Sequence, residues 1–333
     1  MCIFSGKIDN VSGTKILVSI VYPPKHVKIN IGGISKTKKI PDREKRPLQL
    51  VVYSNEVGLS DSEGTAMVLP FPLKKGENRV KLLNFNDYED IFDDLNLLFP
   101  ALKSNTLRNA TNSYDDDTLE VHYVGSYKAS IVPNFKSFGL VDTSEFNLAP
   151  DTKEILEKYY KSNYGFIVCQ LMASRNGDNH KYHPFGYLHE IREDGRLFIP
   201  TRHYHKMNEF NPYTKYHLGV DDDNQDVSDH FMSTLSMEDK WLRLNIKKRE
   251  FSTPKKKPIA DWDHEVYVIN CSRVRRNPLF SNKIGATVLQ ADSDTRGYLK
   301  LNKLPENFVF GNISNVTKLI IDSSYKYNCD FIV

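Results

Sequence analysis

The sequence predicts an α+β fold: a mainly antiparallel β-sheet with a few peripheral helices. Most of the apolar residues fall in short β-branched or aromatic runs bounded by turn residues, the signature of strands. Two segments repeat their apolar residues at helical spacing instead. Strands and helices do not alternate regularly, so the βαβ pattern of a parallel sheet is missing.

Taken in order, Ile3-Phe4-Ser5-Gly6-Lys7-Ile8 and the β-branched run over 14–21 flank turn chemistry at Asn10 and Ser12-Gly13. They read as a hairpin beginning at Cys2, which pins the amino end to a sheet. Residues 25–46 read as a basic hairpin or loop, with Pro23-Pro24-Lys25, Gly32-Gly33 and Lys36-Thr37-Lys38-Lys39 in or beside it. Strands follow at 48–54 and 65–72, the second ending at Pro70 and Pro72 as an edge or exit point. Ile91, Phe92, Leu95 and Leu98 predict a helix over 88–99 with Asp87 as its cap. Further strands are expected at 119–124, 127–132, 164–173, 182–190, 197–201 and 213–220, and a helix at 151–161 capped by Asp151 with Glu154 completing a capping box. Beyond Lys247-Lys248-Arg249 and Lys255-Lys256-Lys257, short strands are expected at 265–270, 285–290, 298–301 and 318–321. The organisation read from this is a main α+β domain over 1–235, a basic linker over 236–263 and a small β-rich segment over 264–333.

The bulk numbers narrow the function. The chain has 333 residues, 40% hydrophobic and 26% charged, as in soluble globular proteins. A net charge of +3 gives no global field for nucleic acid or a membrane surface. No apolar run approaches the ~20 residues that cross a bilayer, and no secretory signal follows Met1, so an intracellular setting is expected. The cysteines, Cys2, Cys169, Cys271 and Cys329, form no CxxC pair, which fits reduced thiols and argues against a zinc ribbon. The acidic loop at 221–226 lacks the glycine and closing glutamate of an EF-hand. No nucleotide-binding, metalloprotease or serine-hydrolase signature is present, nor a specific nucleic-acid motif.

The sharpest chemical feature is Met1-Cys2. Removal of Met1 exposes a residue carrying both a thiol and an α-amine, whose ordinary pKa values are about 8.5 and about 7.7–8.0. One residue then holds nucleophile and base together. Histidine supplies the second feature. In Pro200-Thr201-Arg202-His203-Tyr204-His205, a strand puts His203 and His205 on one face, a spacing that suits a transition metal such as zinc. His122, His217 or Glu190 are the candidate third ligands. The same imidazoles suit activation of the Cys2 thiol, so Cys2, His203, His205 and His122 are the candidate catalytic residues.

Several segments carry a resemblance: Met1-Cys2-Ile3-Phe4-Ser5, Val11-Ser12-Gly13-Thr14-Lys15-Ile16, Leu50-Val51-Val52-Tyr53-Ser54-Asn55, Ala66-Met67-Val68-Leu69-Pro70-Phe71-Pro72, Leu119-Glu120-Val121-His122-Tyr123-Val124-Gly125-Ser126-Tyr127 and Phe198-Ile199-Pro200-Thr201-Arg202-His203-Tyr204-His205. On these the chain resembles an uncharacterised family shared by bacteria and marseillevirus-type giant viruses. The resemblance covers the first two-thirds of the chain and implies no activity. The amino end is also similar to choloylglycine-type N-terminal cysteine hydrolases. Those enzymes place an Arg and an Asp at the end of the second strand, where this chain has Ile20-Val21-Tyr22-Pro23.

Three functions are compatible with these residues. The first is a non-enzymatic virion or host-interaction protein, located in host cytoplasm or virion, that meets a protein or polyanionic partner through the basic loops at 25–46 and 247–257. The second is an amide or ester hydrolase using Cys2, and the third is a metal protein using His203 and His205.

Overall fold

The computed structural model describes residues 2–8, 10–23, 26–31, 34–39, 41, 46–58, 65–74, 79–99, 121–125, 127–160, 163–171, 180–192, 194–207, 264–270, 287–291, 299–300, 303–305, 315–321 and 330–332. The strand expected at 213–220, the acidic run at 221–226, the segment 236–263, His217, Trp241, Trp262 and the loop 247–257 lie outside them.

In chain order the amino-terminal strands are β1 (Cys2–Ile8), β2 (Asn10–Val21), β3 (His26–Ile31), β4 (Ile34–Lys39), β5 (Leu48–Gly58), β6 (Thr65–Pro72) and β7 (Val80–Asn84). Helix α1 (Ile91–Asn96) precedes β8 (His122–Val124) and β9 (Tyr127–Val132). Helix α2 (Thr152–Tyr159) precedes β10 (Tyr164–Leu171), β11 (His180–Lys181), β12 (Phe185–Glu190), β13 (Phe198–Ile199) and β14 (His203–Met207). The last strands are β15 (His264–Ile269), β16 (Thr287–Ala291), β17 (Val316–Ile321) and β18 (Phe331–Ile332).

The described residues are thus mostly strand with few helices. One six-stranded sheet runs β14-β1-β6-β10-β9-β8. The other runs β16-β17-β15-β2-β5-β12-β7, with β11 added on β5. Most neighbours are antiparallel, but β1 pairs with β14 and β2 pairs with β15 in parallel. Strands from 264–333 therefore extend the sheet that β2 and β5 begin.

Strand periodicity explains how the two sheets stack. Along β6, Met67, Leu69 and Phe71 face one core, while Ala66 and Val68 face another. Along β5, Val51 and Tyr53 share the first core with them, while Leu50 and Val52 face a third. The first core lies between the sheets. The others fill the outer faces, one against α1 through Ile91, Phe92 and Leu95, the other against α2 through Leu156 and Tyr160. Strands buried on both faces read as continuous apolar runs, which is why 14–21, 48–54 and 164–171 are so apolar. Each fully buried Val, Leu or Phe in these layers contributes about 1.5–3 kcal/mol.

Several expectations are corrected. β1 and β2 do not form a hairpin: they belong to different sheets. Ser12-Gly13 makes a bulge within β2, where the register passes from Ser12↔Glu56 to Lys15↔Ser54. Gly13 sits at φ +58 there, a conformation that serves a bulge as readily as a turn. Asp87 lies in a short 3-10 turn, and Asp90 occupies the N-cap position of α1. Asp151 stands at the N-cap of α2 without a side-chain capping bond. Leu299 and Lys300 are outside any strand. The basic loop at 25–46 contains a two-stranded ribbon, β3 with β4, separate from both large sheets. Pro70 and Pro72 lie past Met67 and Val68, the β6 residues that pair with β1. Among the described residues, no helix is long and apolar enough to cross a membrane.

Candidate functional site

β1 is held between β6 and β14, so its first residue is fixed by backbone pairing on a sheet. In the parallel β1–β14 pair, Cys2 stands opposite His203, Ile3 opposite Tyr204 and Phe4 opposite His205. Adjacent strands lie about 4.8 Å apart, which brings the thiol-bearing and imidazole-bearing residues to neighbouring backbone positions. Two residues 201 apart in number are adjacent only because both strands start at the same end of the sheet.

His122 does not join them. It sits on β8, with β6, β10 and β9 between that strand and β1. Four strand spacings of ~4.8 Å place it about 19 Å away. Glu190, the carboxylate named as a candidate metal ligand, is buried, receives Arg79 Nε at 2.6 Å and lies 3.6 Å from Arg46. Among the described residues no group of three or more His, Cys, Asp or Glu side chains converges as metal ligands do.

The structure adds residues that sequence reasoning did not assign. Asp330, immediately before β18, is 1% exposed. β18 pairs with β13 through Phe198↔Ile332 and Ile199↔Phe331. That pairing sets Asp330 against the segment joining β13 to β14. Asp330 Oδ1 accepts the backbone N–H of Arg202 at 2.9 Å, and its Oδ2 accepts the hydroxyl of Tyr160, the C-cap residue of α2. The Arg202 guanidinium lies over the Tyr159 ring, 4.3 Å from its centroid. Gln49, reaching from β5 in the other sheet, grips Phe198: its Oε1 accepts the Phe198 N–H at 2.9 Å and its Nε2 donates to the Phe198 carbonyl.

Electrostatics agree with this geometry. Burial pushes the Asp330 carboxyl up, but the positive amino terminus, the Arg202 guanidinium, the Tyr160 hydroxyl and the Arg202 N–H outweigh it and hold the group below the usual carboxylate range. Burial and the Asp330 charge push the Tyr160 hydroxyl well above the phenol range, so it is a firm donor. Tyr164 and Tyr187 are raised for the same two reasons, first burial and then Asp330. A buried anion therefore sits among cations and phenols beside the strand that carries His203.

Arg202 was visible within the Pro200–His205 motif but carried no local sign of a partner. Asp330 gives no local signal at all, since its contacts lie 128 and 170 residues away. In comparisons with known proteins, no family model matches the chain, and no solved structure matches it.

Proposed function

We propose that the protein is a thiol-dependent hydrolase of amide or ester bonds, with Cys2 as nucleophile and His203 as its base. The observation that carries this reading is the β1–β14 register, which sets Cys2 opposite His203. A thiol is a weak nucleophile at its ordinary pKa of about 8.5, and a neighbouring imidazole supplies the activation it lacks. In the reaction, the imidazole takes the thiol proton as sulfur attacks the substrate carbonyl carbon. The imidazolium returns that proton to the departing amine or alcohol, leaving a thioester. Water then attacks the thioester, its proton passing through the imidazole to the released thiol, and the acid leaves. Removal of Met1 adds the Cys2 α-amine as a second proton acceptor at the same position.

The test is the pH dependence of Cys2 alkylation by iodoacetamide, followed by peptide mapping, together with hydrolysis of a panel of nitrophenyl esters and acyl amides. The expected midpoint lies below the ordinary thiol value, and His203→Gln moves it up toward ~8.5. Cys2→Ser abolishes turnover. An ordinary midpoint in the native protein overturns the pairing of Cys2 with His203, and hydrolysis unaffected by Cys2→Ser overturns Cys2 as the nucleophile.

A second reading is favoured by the β3–β4 ribbon, which stands apart from both large sheets and carries Lys28, Lys36, Lys38 and Lys39. In that reading the protein is a virion or host-interaction protein of giant-virus type that meets an acidic partner. Such binding weakens with salt. Replacing the four lysines by glutamate abolishes it, and binding that survives both treatments rules this reading out.

A further inference from the structure

We infer that Asp330 is the positioning residue of this site: its carboxylate ties the end of α2 and the β13–β14 connection together, so that His203 stays opposite Cys2. The inference rests on the Cys2–His203 reading and adds to it a part contributed by the far end of the chain.

The geometry is that of a clasp. Three segments distant in sequence meet at one carboxylate: Tyr160 at the end of α2, Arg202 before β14, and Asp330 itself before β18. β18 is a two-residue strand, but Phe331 and Ile332 are each 2% exposed, so apolar burial anchors the clasp. Arg202 immediately precedes His203. Holding the Arg202 N–H holds the peptide that aims the chain into β14, and with it the register against β1. Stacking of the Arg202 guanidinium on Tyr159 fixes the same residue from its side-chain end. A carboxylate suits this post because it offers several acceptor lone pairs, and the Tyr160 hydroxyl and the Arg202 N–H both donate to it. Among the charged and titratable groups, the amino terminus, Arg202 and Tyr160 act on it, and its charge acts in turn on Tyr164 and Tyr187, with Arg192 also acting on Tyr164.

The experiment compares the full-length protein with Asp330→Ala, Asp330→Asn and Tyr160→Phe, using two readouts. One is hydrogen exchange of the backbone amides in 203–207; the other is the pH midpoint of Cys2 alkylation. Asp330→Ala is expected to speed exchange in 203–207 by about tenfold or more relative to β10, a local opening. It is also expected to move the alkylation midpoint to the ordinary thiol value. Asp330→Asn keeps an acceptor for the Arg202 N–H and restores most of the protection. Tyr160→Phe removes one bond, keeps the ring, and moves both readouts part-way. A folded Asp330→Ala with native exchange in 203–207 overturns the inference, as does an Asn variant no better than Ala. Should Asp330→Ala fail to fold, native exchange in both Asp330→Asn and Tyr160→Phe overturns it equally. Hydrogen exchange judges the clasp alone, whereas an ordinary alkylation midpoint in the unaltered protein sinks the thiol–imidazole reading and leaves the clasp standing.

Discussion

The backbone N–H of Arg202 donates to the carboxylate of Asp330 at 2.9 Å, across 128 residues of chain. This bond joins the short β13–β18 pair to the strand opposite β1. It also makes residues near the end of the chain part of the surroundings of residue 2. The larger sheets make such a bond possible: β13 is fixed from the other sheet by Gln49, and β1 by β6.

The Gln49 contact yields the first prediction. Gln49 is fully buried, and its carboxamide satisfies both backbone groups of Phe198. Gln49→Leu keeps the apolar volume but leaves a buried N–H and a buried carbonyl unpaired, each costing about 1–3 kcal/mol. Urea unfolding is expected to show a loss of about 2–4 kcal/mol with an unchanged slope. A loss below about 0.5 kcal/mol would mean that water replaces the amide at Phe198.

A second prediction concerns Glu190 and Arg79. Glu190 is 2% exposed at its side chain, with Arg79 at 2.6 Å and the more distant, more exposed Arg46 at 3.6 Å. Removing one partner of a buried pair leaves an uncompensated charge and costs about 3–5 kcal/mol. Arg79→Met is expected to fall at the low end of that range because Arg46 still faces the carboxylate. Glu190→Gln in the Arg79→Met background should recover part of the loss. Denaturation of the two single variants and the double variant measures the coupling, and strictly additive effects refute it.

These contacts show how far sequence reading reaches. β2, β5, β6 and β10 were legible because strands buried on both faces leave continuous apolar runs such as Ile16-Leu17-Val18 and Phe166-Ile167-Val168. The helical spacing of Ile91, Phe92 and Leu95 was legible for the same reason, since those side chains fill one outer core. Strand partnership was not. A glycine at positive φ serves a bulge or a turn equally, so Gly13 read as a hairpin while β1 went to β6 and β14. The candidate site divided along the same line. Cys2 and His203 were recognisable from residue type, whereas Asp330 and Tyr160 acquire meaning only from contacts made after the sheets assemble.

His189 provides a pH prediction. It is fully buried between the sheets, beside Phe71 and Tyr187, and burial lowers its pKa from 6.5 to about 4, against the opposing effect of its bond to the Glu190 carbonyl. Between those values the unfolded chain binds a proton that the folded protein refuses. Stability from this group is therefore complete above pH ~6.5 and falls as pH drops toward ~4, by about 3 kcal/mol in all. His189→Phe removes that titration. Unfolding free energies at pH 7 and pH 4.5 should converge in the variant relative to the native protein, and an equal pH slope in both refutes the assignment.

The last prediction sets one thiol against another. Cys169 lies on β10 in the core between the sheets, fully buried, and pairs with Met67 and Ala129 in neighbouring strands. A fully buried thiol is closed to reagents, so Cys169 reacts only when β10 opens. β10 is a central strand, whose opening free energy approaches that of global unfolding. Alkylation of Cys169 should therefore rise steeply with urea in step with the loss of structure. Cys2, at the start of β1, should react in the absence of urea and gain little from it. Peptide-resolved labelling across a urea series measures both rates. Rapid native labelling of Cys169 would show that β10 is not held between β6 and β9 in solution. Labelling of Cys2 that waits for unfolding would show a thiol sealed in the fold, which cannot meet a substrate.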